Sequence, residues 1–158
     1  MRNFGIAGIV ALLVSLTPAA ALPAPTTSPL AGLHGLVGTW KCTFHGGGMN
    51  MAYDAVYAVD LGGHTLRETT NFTSGGDEEV IAYDATHHGW TAAVLDAGGT
   101  ATVMHAPGSD PKHIAYRSVY PDASLAVMFD QVSPTKYTQH GTYRTGGKTI
   151  VSVDTCTR

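Results

Sequence analysis

The residues with chemistry to offer are two cysteines, eight histidines and a few carboxylates set among aromatic side chains. Cys42 and Cys156 are the natural partners for a disulfide in an oxidising compartment, with two independent buried thiols as the alternative. His87 and His88 are adjacent and point different ways, which suits solvated turn residues better than a metal site. His105 and His113 flank the loop Ala106-Pro107-Gly108-Ser109-Asp110-Pro111 and are expected to face each other at one rim. That pair alone has too few ligands to specify a metal. His140 is a third weak candidate whose use depends on which way it faces. Glu68 lies near Tyr53, Tyr57 and Phe72, and a carboxyl on an apolar face must find partners or stay protonated. It could orient a ligand or act as a general base, but a structural hydrogen-bond partner is the plainer role. Asp60, Asp84, Asp96, Asp122 and Asp130 fall where Asp serves turn geometry. Neither Gly-x-Ser-x-Gly nor His-Glu-x-x-His is present, so no catalytic residue is assigned beyond the candidate Glu68. Gly46-Gly47-Gly48 precedes a strand, so it lacks the helix N-terminus that binds phosphate.

These residues need a frame to hold them. Residues 1–21 begin with a basic residue (Arg2), continue as an apolar run from Phe4 to Leu16, and end in Pro18 and small residues. That order is the signal-peptide pattern, and the run is too short to span a membrane. Residues 22–33, rich in Pro, Ala, Thr and Ser, read as a flexible leader. Residues 34–158 are expected to form one domain. Export to the periplasm or the exterior follows, with no membrane span after cleavage. Charged residues make up only 13% of the chain and the net charge is −3, with no basic stripe, which argues against nucleic acid as a partner.

After residue 34 there is no helical periodicity. Short β-branched and aromatic segments alternate with Gly-Gly and Pro turns, giving candidate strands at about 36–45, 51–60, 64–73, 79–84, 89–96, 100–105, 112–120, 124–130, 135–145 and 148–157. Short connections imply antiparallel neighbours, and closing such a meander removes its two bare edges. The expected fold is all-β, an antiparallel up-and-down barrel of about ten strands. In a closed barrel of this kind the first and last strands are neighbours. If Cys42 faces Cys156 there, Trp40 stands opposite Arg158, and an Arg over a Trp face is a favourable cation–π pair. A two-residue turn at Gly146-Gly147 would set Tyr137, Gln139 and Tyr143 on one face and His140 on the other. A hairpin closed at Gly62-Gly63 would pair Glu68 with Tyr57 and turn both inward, leaving Arg67 towards solvent.

Gly38-Thr39-Trp40 in the first strand, with a basic residue closing on that Trp from the chain end, resembles the calycin superfamily of lipocalins and fatty-acid-binding proteins. Leu36 to Trp40, Gly63-x-x-Leu66, Ile81-Ala82-Tyr83-Asp84 with Trp90 soon after, and Thr155-Cys156-Thr157-Arg158 are similar to an uncharacterised bacterial lipocalin-like family. The resemblance implies a barrel with an internal cavity and brings no assigned activity. Nitrobindin-like barrels are a more distant resemblance; they hold haem through a late His, and His140 is the position that would match. The register above turns His140 outward, so haem is kept only as a rival to the reading without a cofactor.

The function expected from all this is an exported barrel binding a small apolar or amphipathic molecule. The expected lumen residues are Trp40, Phe44, Tyr53, Tyr57, Glu68, Phe72, Trp90, Tyr137 and Tyr143. An aromatic cavity with few polar groups is what such a site needs. The rivals are a small isomerase or hydrolase using Glu68 with a lumen Tyr, a haem binder, and an envelope interaction protein with a filled core. The ligand and the oligomeric state are not specified by the sequence.

Overall fold

A computed structural model describes residues 28–73 and 75–158. The expected signal peptide and the first half of the expected leader therefore lie outside the described residues. Ten antiparallel strands follow one another: β1 (Gly38–Gly46), β2 (Met49–Asp60), β3 (Thr65–Asn71), β4 (Asp77–Asp84), β5 (Gly89–Asp96), β6 (Ala101–Pro107), β7 (His113–Tyr120), β8 (Leu125–Ser133), β9 (Lys136–Thr145) and β10 (Lys148–Thr157). Each pairs with its neighbours in sequence, and β1 pairs with β10, so the barrel is closed. Closure leaves no strand with an unpaired edge.

Period-two patterning decides which side chains enter. In β7, Ile114, Tyr116 and Ser118 are buried while the intervening residues are exposed. In β1 the inward set is Trp40, Cys42 and, half-buried, Phe44. The β9–β10 hairpin turns on Gly146 and Gly147, at φ 55° and 74°, the left-handed pair that glycine adopts without steric cost. That turn sets Tyr143 opposite Ile150, Gln139 opposite Asp154, Tyr137 opposite Cys156 and His140 opposite Val153, as the two-residue turn requires. The β2–β3 connection is a 3-10 turn, Leu61–Gly63, instead of a bare Gly-Gly hairpin. The register is the expected one all the same, with Tyr57 opposite Glu68 and Val59 opposite Leu66.

At the seam, Cys42 lies opposite Cys156 and the two form a disulfide with Cα atoms 4.1 Å apart. The Arg158 guanidinium lies over Trp40, 4.5 Å from the ring centroid. It also donates to the carbonyls of Val37, Gly35 and Pro134, at 3.0, 2.7 and 3.3 Å. Gly38, at φ 120°, holds a conformation that favours glycine and lies against this guanidinium.

The leader is where the structure departs from expectation. Its last residues, with the start of the domain, form a 3-10 helix, Pro29–Leu36. Ser28 caps it by accepting from the Leu30 amide, and Pro29 occupies the first position, where a missing N–H costs nothing. With three residues per turn, Leu30, Leu33 and Leu36 share one edge, and all three are buried. Each is worth about 1.5–3 kcal/mol of apolar burial. The helix ends by offering the Leu36 carbonyl to the Trp40 indole N–H at 2.6 Å. The segment is too short to show a 3.6-residue pattern, and its composition suggests a flexible leader in sequence.

The disulfide closes a loop spanning 114 positions. Such a cross-link is worth up to about 4–5 kcal/mol through the entropy of the unfolded chain. Reduction should therefore lower the melting temperature by several degrees or more, as read by circular dichroism. Arg158→Ala should cost about 1–2 kcal/mol, and Arg158→Lys should recover only part of it, because an ammonium cannot bridge three carbonyls and cover the ring.

Candidate functional site

Inside the barrel is a cavity of about 320 Å³. Leu33 and Leu36 of the 3-10 helix close one end of it, and its walls are mainly apolar, with Phe44, Ile81, Met104 and Phe129 among them. Four carboxylic acids also line it: Glu68, Asp77, Glu79 and Asp154. No Lys, Arg or His accompanies them among the described lining residues.

Strand register explains the grouping. Glu68 of β3 lies directly opposite Glu79 of β4. Asp77, Glu79 and Ile81 alternate onto the inner face of β4, and Asp154 reaches the cavity from β10 two residues from the buried Cys156. Glu68 is only 4% exposed. Burial pushes its carboxyl well above the ordinary range, the neighbouring Glu79 charge adds to this, and the nearby Tyr57 hydroxyl opposes it in part. Glu79 is raised as well, by burial first, with the hydrogen bond to Glu68 acting against it. Two facing acids without counter-charge repel each other when both are ionised, so each favours the neutral form of the other. Asp77 is raised by burial and by Asp96, and Asp154 by burial, although the Tyr53 hydroxyl donates to Asp154 at 2.8 Å.

Tyrosines complete the polar lining. The Tyr57 hydroxyl donates to Tyr137 at 3.0 Å. The Tyr137 hydroxyl lies 3.7 Å from Cys42 Sγ, and since a disulfide sulfur carries no proton, Tyr137 is the donor. Tyr116 is different: it is 5% exposed, it lines the cavity, and its buried hydroxyl has no hydrogen-bond partner. Burial and the Glu79 charge raise its ionisation well above the ordinary phenol range.

Of the residues expected in the lumen, Phe44, Tyr53, Tyr57, Glu68 and Phe72 line the cavity. Trp40, Trp90 and Tyr137 are buried but lie outside its lining. Trp40 packs edge-on against Tyr137 with centroids 4.9 Å apart, under the 3-10 helix. Trp90, next to the start of β5, packs edge-on against Tyr83 at 5.1 Å. Tyr143 stands half-exposed, its hydroxyl beside Gly47 in the β1–β2 turn. These four therefore pack around the cavity without lining it. Glu79, Asp154 and Tyr116 were missed. The inward positions of Ile81, Cys156 and Ile114, two residues away in each case, carried the signal.

The histidines stay out of the cavity. His105 pairs across to Arg117 and Thr91, so it stands four residues out of register with His113 and does not face it as expected. His113 is exposed, with Nδ1 2.5 Å from Asp130 Oδ1. His140 is exposed and lies between Val153 and Met128. Among the described residues no group of three or more His, Cys, Asp or Glu is arranged to hold a metal ion. Arg67 lies across the strand from the lumen, half-exposed and ion-paired to Asp60 and Glu78 at 2.5 and 3.0 Å.

No protein-family model matches this chain, and no curated protein does. Among solved structures, the S-type phycobiliprotein lyase CPES from Guillardia theta is similar, with a TM-score of 0.53 and 12% identity. The match covers 84% of this chain and 93% of that one. At that identity the likeness bears on the fold, and it agrees with the lipocalin-like barrel described above.

The raised carboxyls give a stability test. A group whose folded pKa lies above its unfolded value stabilises the fold below the unfolded pKa, near the ordinary 4.5 for Glu68, and that contribution is lost as pH rises through the folded pKa. Glu68→Gln removes this loss. Its melting temperature should therefore exceed that of the wild type at about pH 8, and the difference should shrink steadily towards about pH 4. Exposed Asp60, Asp84 and Asp122, held low by their hydrogen bonds, act in the opposite direction but are common to both proteins. A variant less stable than wild type at every pH would give Glu68 an indispensable structural role.

Proposed function

We propose that this protein is an exported carrier of a small amphipathic molecule, held in the barrel with its apolar body against the aliphatic and aromatic walls. The observation that carries this is the cavity itself. A filled interior would be expected of a barrel whose only task is structural, since protein interiors pack as densely as organic crystals. Here about 320 Å³ is left open among Phe44, Met104, Ile114 and Phe129, with polar groups confined to a few positions. Largely apolar walls with a few convergent polar groups are the usual composition of a small-molecule site.

Export is supported by two features of different kinds. The N-terminal segment has the charged, apolar and small-residue order of a signal peptide. The Cys42–Cys156 bond suits an oxidising compartment. The enzymatic alternative has Glu68 opposite Tyr57, but the mainly apolar walls suit binding with fewer assumptions.

Native mass spectrometry of protein purified from its own host should show an added mass that is lost on denaturation. Val127→Trp, which projects a large ring into the cavity wall, should abolish both the added mass and the binding of an apolar fluorescent probe, with the far-ultraviolet spectrum unchanged. Repeated recovery of the bare mass, together with a wild-type protein that ignores the probe, would rule the carrier reading out.

A further inference from the structure

We propose that the facing pair Glu68 and Glu79, with the unpartnered Tyr116 hydroxyl, is the head-group site for a primary ammonium, so that the cargo is an apolar-bodied amine. This rests on the carrier reading and specifies the ligand's polar end.

Three observations converge. First, two glutamates stand directly opposite each other on neighbouring strands, facing inward, and like-charged cross-strand pairs are unfavourable. Second, Asp77 and Asp154 share the same cavity, and the described lining offers no cationic side chain to any of the four acids. The one neighbouring base that acts on Asp154, His45, is exposed outside the cavity. Third, Tyr116 is buried to the same degree as the barrel core, yet its hydroxyl has no partner. Thr65 Oγ1, Arg67 Nε and Trp90 Nε1 also lack a partner, but of these four buried atoms only the Tyr116 hydroxyl belongs to a cavity-lining residue, where a ligand could satisfy it.

The missing partner is defined by what these groups require. The carboxyl pair lacks positive charge, and the tyrosine oxygen has free lone pairs. An R–NH3+ group carries three donors and no acceptor, one for each of Glu68, Glu79 and Tyr116. Its charge would offset the repulsion that opposes ionising both glutamates. A carboxylate ligand would add a fifth negative charge and is disfavoured. An alcohol could serve Tyr116 but leaves the charge uncompensated. Behind the head group, Ile81, Met104, Ile114 and Phe129 provide apolar wall for the body of the ligand.

The test is a series with one apolar body and three head groups: heptylamine, 1-heptanol and heptanoate, each measured by isothermal titration and by displacement of an apolar fluorescent probe. The amine should bind about tenfold or more tighter than the alcohol, as a charge-assisted hydrogen bond outweighs a neutral one, and heptanoate should bind weakest. Glu68→Gln and Glu79→Gln should each remove most of the amine's advantage while leaving the alcohol within about twofold, because glutamine keeps the size and loses the charge. Tyr116→Phe should weaken the amine by about three- to tenfold through loss of one acceptor.

An alcohol that binds as tightly as the amine would overturn the ammonium site and leave the carrier reading standing. Binding of none of the three, with the apolar probe also ignored, would overturn both. The wild-type series decides the question even if a Gln variant does not fold.

Discussion

The barrel depends on one seam. Nine of its strand pairings join neighbours in sequence through short turns and form locally, but β1 and β10 meet only when the whole chain has been gathered. Loop-closure entropy opposes that contact most, and the chain places its strongest links there. The Cys42–Cys156 bond fixes the register, and Arg158 covers Trp40 while holding the carbonyls of Gly35, Val37 and Pro134. Two of those carbonyls belong to the end of the 3-10 helix and the residue after it. The same guanidinium thus closes the cylinder and fastens its end plug.

The seam also faces inward, which links it to the site. Cys42 receives the Tyr137 hydroxyl, Tyr137 receives Tyr57, and Tyr57 stands directly across the strand pair from Glu68. The closing disulfide and the facing acids therefore lie in one chain of contacts. A change of register at the seam would rotate Phe44 and Asp154 out of the cavity, since a slip of one residue turns every side chain of a strand to the other face. The covalent bond protects the chemistry of the lumen as well as the closure.

Much of this was legible because strand parity is a two-state property. Cys42 opposite Cys156 and Gly146-Gly147 at a turn are enough to assign a side to Phe44, Tyr137 and His140, and the turn at Gly62-Gly63 does the same for Tyr57 and Glu68. Height along the barrel was not legible. Strand tilt moves residues on the same face to different levels, so Trp90 and Tyr143 point inward yet lie beyond the cavity. The 3-10 helix was hidden for another reason: Leu30, Leu33 and Leu36 repeat at three residues, inside a segment whose Pro, Ala and Thr composition suggests a linker. Glu79 was masked by its neighbours, because Asp77-Glu78-Glu79 reads as a solvated charge run until Ile81 is seen to set the inner face.

The cavity acids then present a physical asymmetry. Every feature at the seam favours the closed barrel, whereas Glu68, Asp77, Glu79 and Asp154 all have ionisations displaced upward by burial, so each opposes folding when charged. Glutamine would occupy the space of Glu68 or Glu79 and hydrogen-bond across the strands without that penalty. A purely structural interior has no use for the difference between the two side chains. A site that must attract and hold positive charge does, because charge is the property that glutamine lacks. The strain is local, set on β3, β4 and β10, and the disulfide two residues from Asp154 supplies a covalent margin against it. Stability withheld at a few inward positions and restored elsewhere is the pattern expected where a fold carries a binding function.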